Sequence, residues 1–408
     1  MTHLIVKNVG PITSADVTFN KCTIFIGEQG AGKSTLAKLF SMFTWIEKGL
    51  LRHTLTASDI VKYKRFKNKY ASYHNLDSYF SADSYIQYIG EHYVFIYENE
   101  HLSIERTNES GEINVAKVMY IPAERNLLSV IESSKLQKGL SESMQALMEE
   151  LNSAKTRFQK GLKLPVGNLD FTYDRLNQTS WLKGENPTGK PYKVLVKDAS
   201  SGFQSLLPMV LVSNYLSEVV VESGKELTDY EEKKRLQQEV DKIMAKSDIS
   251  EAVKNAMLRT LSSRFKYSKY VNVVEELEQN LYPLSQKLVL FDLLRVNQTL
   301  PNNMLVMTTH SPYLISYLTI VAKAADIDTK IPADNTVLRT RLYSIVPKAS
   351  LTKAANLSIY ELQDGKSCQL NNYNGIPSDD NFLNQKMIES NDMFDELLDI
   401  EELISHTL

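Results

Sequence analysis

The nine residues GEQGAGKST, from Gly27 to Thr35, keep the spacing G-x-x-x-x-G-K-[ST], a pattern whose chemistry suits a triphosphate. Gly27, Gly30 and Gly32 let the backbone turn tightly enough to aim N–H groups at an anion, and a helix opening near Lys33 adds the field of its amino terminus. Lys33 supplies a cation for the β- and γ-phosphates and Ser34 a hydroxyl for Mg²⁺, while Glu28, Gln29, Ala31 and Thr35 complete the loop. Hydrolysis further needs carboxylates at the end of a buried strand. VNVVEE provides them, with Glu275 as the metal partner and Glu276 as the general base that polarises the attacking water. His310 closes the next apolar strand, LVMTTH, where a neutral imidazole would reach the γ-phosphate or position water.

A fourth cluster, DASSGFQSLLPM at 198–209, admits two readings. Ser200 or Ser201 with Gln204 matches a capping box at a helix start. The same small residues would also leave a helix amino terminus open to a phosphate.

These groups require elements to hold them. HLIVKNV, ADVTF and CTIFIG read as strands, and a helix beginning near Lys33 carries Leu36, Leu39, Phe40 and Phe43 on one face. The polar, aromatic stretch 52–82 is predicted to be helical, followed by strands YIQYIG, HYVFIYE, LSIERT and VAKVMYIP. From 127 to about 163 the period changes to that of a helix, with Leu136, Leu140, Met144, Leu147, Leu151, Ala154 and Phe158 forming a stripe suited to coiled-coil or bundle packing, either on the chain's own domain or in an intermolecular seam. A polar helical stretch at 217–264 carries the stripe Leu236, Val240 and Ile243, and Asp248 with Glu251 marks a further helix start. Two helices of ~20 residues would project only about 30 Å, a short hairpin arm. Strand YVNVVEEL, helix PLSQKLVLFDLLRV, strand NMLVMTTH and helix SPYLISYLTIVAKAA then favour a parallel or mixed sheet.

The expected organisation is therefore an amino-terminal head segment at 1–126, a helical insertion at 127–190, a second head segment at 191–216, the hairpin arm at 217–265, a third head segment at 266–375 and an acidic amphipathic tail at 376–408. The tail fits either a solvated terminal helix or a docking element. The 408 residues are 43% hydrophobic, which supports a large core, and the formal net charge of -3 leaves no overall basic field. Nucleic acid would have to meet a local patch such as VKYKRFKNKY, in which Lys62, Lys64, Arg65, Lys67 and Lys69 interleave with Tyr63, Phe66 and Tyr70; a solvated helix face is the other reading. Two distant cysteines, Cys22 and Cys368, exclude a cysteine-based zinc site and suit a reducing compartment. The start MTHLIVKNVG has no signal-peptide pattern, and the run LLPMVLVSNYL is well short of the ~20 residues that span a bilayer. The expectation is a cytoplasmic protein with no membrane partner.

In this order, NVGPI, GEQGAGKS, YIPAERN, SSGFQS, VVEELEQNLYP and TTHSPYLI resemble the ABC-type ATPase heads of the RecF, SMC, Rad50 and OLD superfamily, over residues 8–315. The resemblance implies an α/β head with a P-loop mixed sheet flanked by helices, an antiparallel β subdomain and short helical arm insertions. It also implies ATP with Mg²⁺, and a homodimer or higher homo-oligomer in which the P-loop of one subunit closes on the signature of another. Carried onto this chain, Ser201, Gly202 and Gln204 would contact the ATP of the partner subunit. Asn280 would lie in the loop coupling the two sites, and Glu124 near the position that senses Mg²⁺. Three positions depart from the pattern: Glu275 replaces an aspartate, Leu277 stands where EEPE is common, and Phe203 replaces the signature's second glycine. The preference for ATP over GTP rests on the resemblance alone.

Among such heads, this chain looks like the stand-alone ATPase subunits of bacterial anti-phage systems of the PARIS, Septu and retron-associated type, which work with a separately encoded effector, a nuclease or toxin. Fewer than 100 residues follow His310, leaving little room for a fused effector. The alternative is a RecF-like repair ATPase that clamps DNA. A third is a protein that uses nucleotide only to set its assembly state.

Overall fold

A computed structural model describes residues 2–407 except 108–112, 131–138, 224–229, 246–252, 255–256, 259–260, 262–264, 374–375 and 378–379. Its centre is an 11-stranded mixed sheet in the order β6-β5-β4-β1-β2-β15-β14-β3-β13-β12-β7. The strands are β1 (Thr2–Val9), β2 (Ile12–Phe19), β3 (Cys22–Gly27), β4 (Phe80–Ile89), β5 (Tyr93–Glu98), β6 (His101–Arg106), β7 (Ala116–Ile121), β12 (Lys269–Val274), β13 (Met304–Thr308), β14 (Leu357–Gln363) and β15 (Lys366–Gln369). The run β14-β3-β13-β12-β7 is parallel throughout, whereas β2-β1-β4-β5-β6 is an antiparallel meander. Parallel strands covered on both faces must be apolar along their whole length. In β12 all six residues are buried, and its two polar ones are partnered, Lys269 with Glu91 and Asn272 by donating its Nδ2 to Ser213 Oγ.

Alternation along these strands builds two cores. Ile24, Tyr270, Val274, Leu305 and Met307 face one side; Phe25, Val271, Val273 and Val306 face the other. Helix α1 (Lys33–Leu51) covers the second face with Leu36, Leu39, Phe40 and Phe43. The first is covered by α2 (Glu142–Arg157), α3 (Ser201–Ser223), α5 (Pro283–Asn297) and α6 (Pro312–Lys330). Between them in sequence lies α4 (Tyr230–Met244), and α7 (Thr336–Ile345) and α8 (Phe382–Thr407) follow. Helix α3 is long and apolar enough to cross a membrane, but 67% of its most apolar window is buried inside the fold, as befits a core helix.

Two expectations are corrected. The segment 127–190 is not a helical insertion: after α2 the chain forms β8 (Leu162–Lys163), β9 (Asp170–Asp174), β10 (Thr179–Glu185) and β11 (Pro191–Leu195), a separate four-stranded antiparallel sheet. Phe171 and Leu182 face the core at strand spacing, and Asn168 and Gln178, both at positive φ, turn the chain. Nor is 52–82 a continuous helix. It breaks into one-turn pieces, with Lys64 at φ +58° and Asn75 at φ +56°, a backbone no helix accepts, and a π-turn at Phe66–Ala71. In the stripe read from 136 to 158, Met144, Leu147, Leu151, Ala154 and Phe158 are buried in their own domain's core. Leu136 lies outside the described residues, as do Asp248 and Glu251. In the arm region Ile243 packs with Leu261 and Phe265, beside Leu236 and Val240.

Candidate nucleotide site

All five parallel strands end at one sheet edge, and the loops leaving that edge carry the groups picked out from the sequence. Loop Gly27–Gly32 joins β3 to α1, with Gly27, Gly30 and Gly32 at φ +139°, +80° and +101°. A Cβ on Gly27 would sit 2.2 Å from Leu362 O, and one on Gly32 2.7 Å from Ile12 Cγ1, so both positions admit glycine alone. Gly30 has nothing within 4 Å of that position; its glycine keeps the cradle open. Lys33 is buried and its Nζ donates to Gly27 O at 2.9 Å and Glu28 O at 2.7 Å, folded over its own loop. Burial pulls its pKa down to about 8, against Glu276, Glu278 and Glu275, which raise it. Ser34 and Thr35 follow in the first turn of α1, while Glu28 and Gln29 are exposed at the loop tip and Ala31 packs on the core.

Two strands across, the end of β12 presents Glu275 and Glu276. Glu275 is buried, with the Tyr120 hydroxyl near its carboxylate; its Oε2 accepts a long hydrogen bond from Ala123 N at 3.4 Å, while Oε1 has no hydrogen-bond partner of good geometry. A buried carboxylate oxygen left in this way fits a divalent cation better than it fits the protein around it. Glu276 takes φ +42°, a strained backbone for a side-chain-bearing residue. It is held there by its N–H donating to Thr308 Oγ1 at 3.1 Å and its carbonyl accepting from Arg125 Nη2 at 2.7 Å. Its carboxylate stands 3.9 Å from His310 Nε2, with both side chains about one-third exposed. Burial, and then the Lys33 ammonium, hold the His310 pKa below its ordinary value, so the imidazole is neutral near pH 7.

The signature segment opens α3. Among the described residues neither Ser200 nor Ser201 accepts a first-turn N–H through its hydroxyl, which removes the capping-box reading. Gln204 instead reaches backwards, Nε2 donating to Lys197 O at 2.8 Å and Ala199 O at 3.0 Å. Gly202 is required by contact: a Cβ there would lie 2.8 Å from Asn280 O, which ties the signature to the loop after β12. Phe203 packs toward the four-stranded sheet, where a Cβ on Gly167 would come within 3.0 Å of its ring. That sheet gives the glycine-replacing phenylalanine its seat. Along the edge, β13 lies between β12, whose following loop supports the signature, and the P-loop strand β3. Two strand spacings make this roughly 10 Å. Among the described residues no hydrogen bond joins Ser201–Gln204 to Gly27–Thr35.

Two residues that sequence reasoning passed over hold these loops together. Arg125, in YIPAERN, is fully buried. Its guanidinium donates to Ser205 O (3.0 Å), Pro122 O (3.2 Å), Glu275 O (2.6 Å) and Glu276 O (2.7 Å). One cation thus fastens the signature helix to the backbone of both glutamates. In the same helix Pro208 has no N–H to give the carbonyl four residues earlier. That carbonyl, Gln204 O, accepts instead from Ser129 Oγ at 2.6 Å. Glu278 is the second missed residue: its Oε1 accepts from His310 N at 2.5 Å, fixing the histidine loop against the glutamate loop. Burial raises its pKa. Leu277, at the departure from EEPE, is a core residue, and Glu124 is exposed at the same edge. In the basic stretch Phe66 and Tyr70 are buried in the core, so of its aromatic rings only Tyr63 is free to stack on a base.

No protein-family model and no curated protein sequence matches the chain. Among solved structures it is similar to an SMC head bound to the C-winged helix domain of ScpA, at 12% identity and a TM-score of 0.35, covering 90% of this chain and 96% of that one. It is also similar to the SMC head domain from Thermotoga maritima, at 10% identity and TM-score 0.33 over 91% and 98% of the two chains. A third likeness is to the recombination mediator protein RecF of the RecFOR pathway, at 10% and 0.31 over 90% and 97%. The chain's own residues define a P-loop protein with a mixed α/β sheet and a separate antiparallel sheet.

Proposed function

We propose that this chain is an ATPase whose two copies close face to face, each ATP held by the P-loop of one and the signature of the other. The observation carrying this reading is the divided site. Gly27–Ser34, Glu275, Glu276 and His310 lie at one end of the parallel strands, while the amino terminus of α3, fastened to the glutamate loop through Arg125 and Asn280, makes no hydrogen bond to Gly27–Thr35 among the described residues. A helix amino terminus held open beside Asn280 gains a ligand only when a second head brings one.

In that arrangement Lys33 leaves its loop carbonyls for the β- and γ-phosphates, and Glu276 takes the proton of the attacking water. His310, neutral and 3.9 Å from Glu276, donates toward the γ-phosphate or the water. Mg²⁺ would be held by Ser34 and Glu275 and would supply neutralisation of the phosphate charge. Beyond the chemistry, the sequence resemblance supports a cytoplasmic regulatory subunit of an anti-phage system, governing a separately encoded nuclease or toxin. DNA clamping of the RecF kind is the alternative, and strong salt-dependent DNA affinity of the isolated protein would favour it.

The test is assembly. With millimolar ATP and Mg²⁺, mass photometry should show wild-type heads pairing, and Lys33→Ala should give the same mass distribution with and without ATP. ATP-driven pairing by Lys33→Ala would contradict the proposal.

A further inference from the structure

Two features remain outside the nucleotide site, and they match each other. The first is α8. At 100° per residue Met387, Met393, Phe394, Leu397, Leu398 and Ile400 fall on one side of the helix, and each is about half exposed or more. Glu389 and Glu396 border this stripe on one flank and Asp395 and Glu402 on the other, and Glu401 falls within its carboxy-terminal end. After Lys386, which pairs with Glu389, no lysine or arginine follows. A helix of this kind does not pair with a second α8, because the carboxylates on both flanks would meet their own kind.

The second feature is a pocket of about 240 Å³ at the outer end of the antiparallel meander. Its floor includes Ile60, Phe66 and Leu102, all buried, and its rim Lys62, Lys64 and Lys67, beside the exposed Tyr63. Asp59 pairs with Lys62 and Glu100 lines one side, but the stretch 59–70 still carries five bases against one acid. Lys64 is exposed and held at φ +58°, above the Tyr63 ring at 5.1 Å. The pocket is mixed in polarity, and its basic rim is opposite in charge to the acidic flanks of α8.

The two do not meet within one chain. Helix α8 is rooted at β14, where Phe382 N donates to Glu361, and its stripe is exposed along its length. From β14 to β6 the sheet runs six strand spacings, roughly 29 Å. We infer that α8 of one copy docks by its apolar stripe into the Lys62–Lys67 pocket of another, a contact separate from the ATP-dependent pairing of heads. The contact is heterologous: each copy offers a helix to one neighbour and a pocket to the next, so repetition builds a ring or a chain. The root of α8 also lies near the P-loop, with Lys386 close enough to Glu28 to feel its charge.

Charge reversal tests this on the full-length protein without nucleotide, by sedimentation velocity at low salt. Wild type should self-associate with rising concentration. Lys62→Glu with Lys64→Glu should raise the required concentration at least tenfold, and so should Asp395→Lys with Glu402→Lys. All four substitutions in one chain should restore assembly, since the charges are again opposite. The inference is overturned if the first pair leaves the mass unchanged, or if the fourfold variant stays dissociated while folded by circular dichroism. A first pair that abolishes binding of a DNA duplex without changing the mass assigns the pocket to nucleic acid and likewise overturns it. Because no nucleotide is present, failure here leaves the ATPase reading standing, and failure of ATP-driven pairing leaves this one.

Discussion

Glu276→Gln is expected to lower ATP turnover by about 10²–10⁴-fold, the usual worth of a positioned general base, while ATP binding persists and the paired state accumulates. The glutamine keeps the shape and the backbone contacts to Thr308 and Arg125, so the φ of +42° survives. What it loses is the capacity to accept a proton. The removed charge also stops competing with the ATP phosphates for Lys33, one of the groups Glu276 now attracts. Steady-state phosphate release and mass photometry with ATP provide both readings. Turnover within a few-fold of wild type would remove Glu276 from the role of base.

The second large effect belongs to Arg125. Arg125→Met should cost at least about 3 kcal/mol in denaturant unfolding, because carbonyls that shared one buried guanidinium lose a charged donor together. Burial already draws the guanidinium pKa down to about 10, so the site tolerates this cation only through the carbonyls and the glutamates nearby. Arg125→Lys is the more telling variant. An ammonium keeps the charge but lacks the fork that spans α3 and the glutamate loop, so the protein folds and kcat falls at least tenfold while KM for ATP changes little. The P-loop lies on other strands and does not depend on it. A wild-type kcat in Arg125→Lys would reduce Arg125 to a packing residue.

Much of the site was legible because its groups obey local rules. The P-loop needs three glycines between a β-branched strand and an amphipathic helix, and Glu275, Glu276 and His310 each end a run of apolar residues long enough to be a buried strand. Arg125 was not legible, since an arginine three residues past a strand gives no sign that distant carbonyls will enclose it. The role of Pro208 was equally hidden: a proline inside an apolar helix reads as a defect until Ser129 is seen to take the carbonyl it releases. In the fold, the α2 stripe was clear from its spacing, whereas the strands that follow it are short and mostly half-buried, and their alternation is carried by few residues such as Phe171 and Leu182. The signature shows the two levels together. SSGFQ does start a helix, but its glutamine braces the preceding turn and its glycine accommodates Asn280 O, which leaves the amino terminus of α3 unspent.

That the site is completed between two chains is tested most directly by mixing two inactive variants. Lys33→Ala keeps the signature and loses the P-loop cation; Ser201→Arg keeps the P-loop and blocks the signature. Each alone should bind or hydrolyse ATP poorly: Lys33→Ala fails to bind, and Ser201→Arg binds without turnover. Mixed in equal amounts, they form pairs in which the P-loop of the Ser201→Arg chain meets the intact signature of the Lys33→Ala chain, and ATP turnover should recover to a substantial fraction of wild type. A mixture no more active than its components would contradict the shared site.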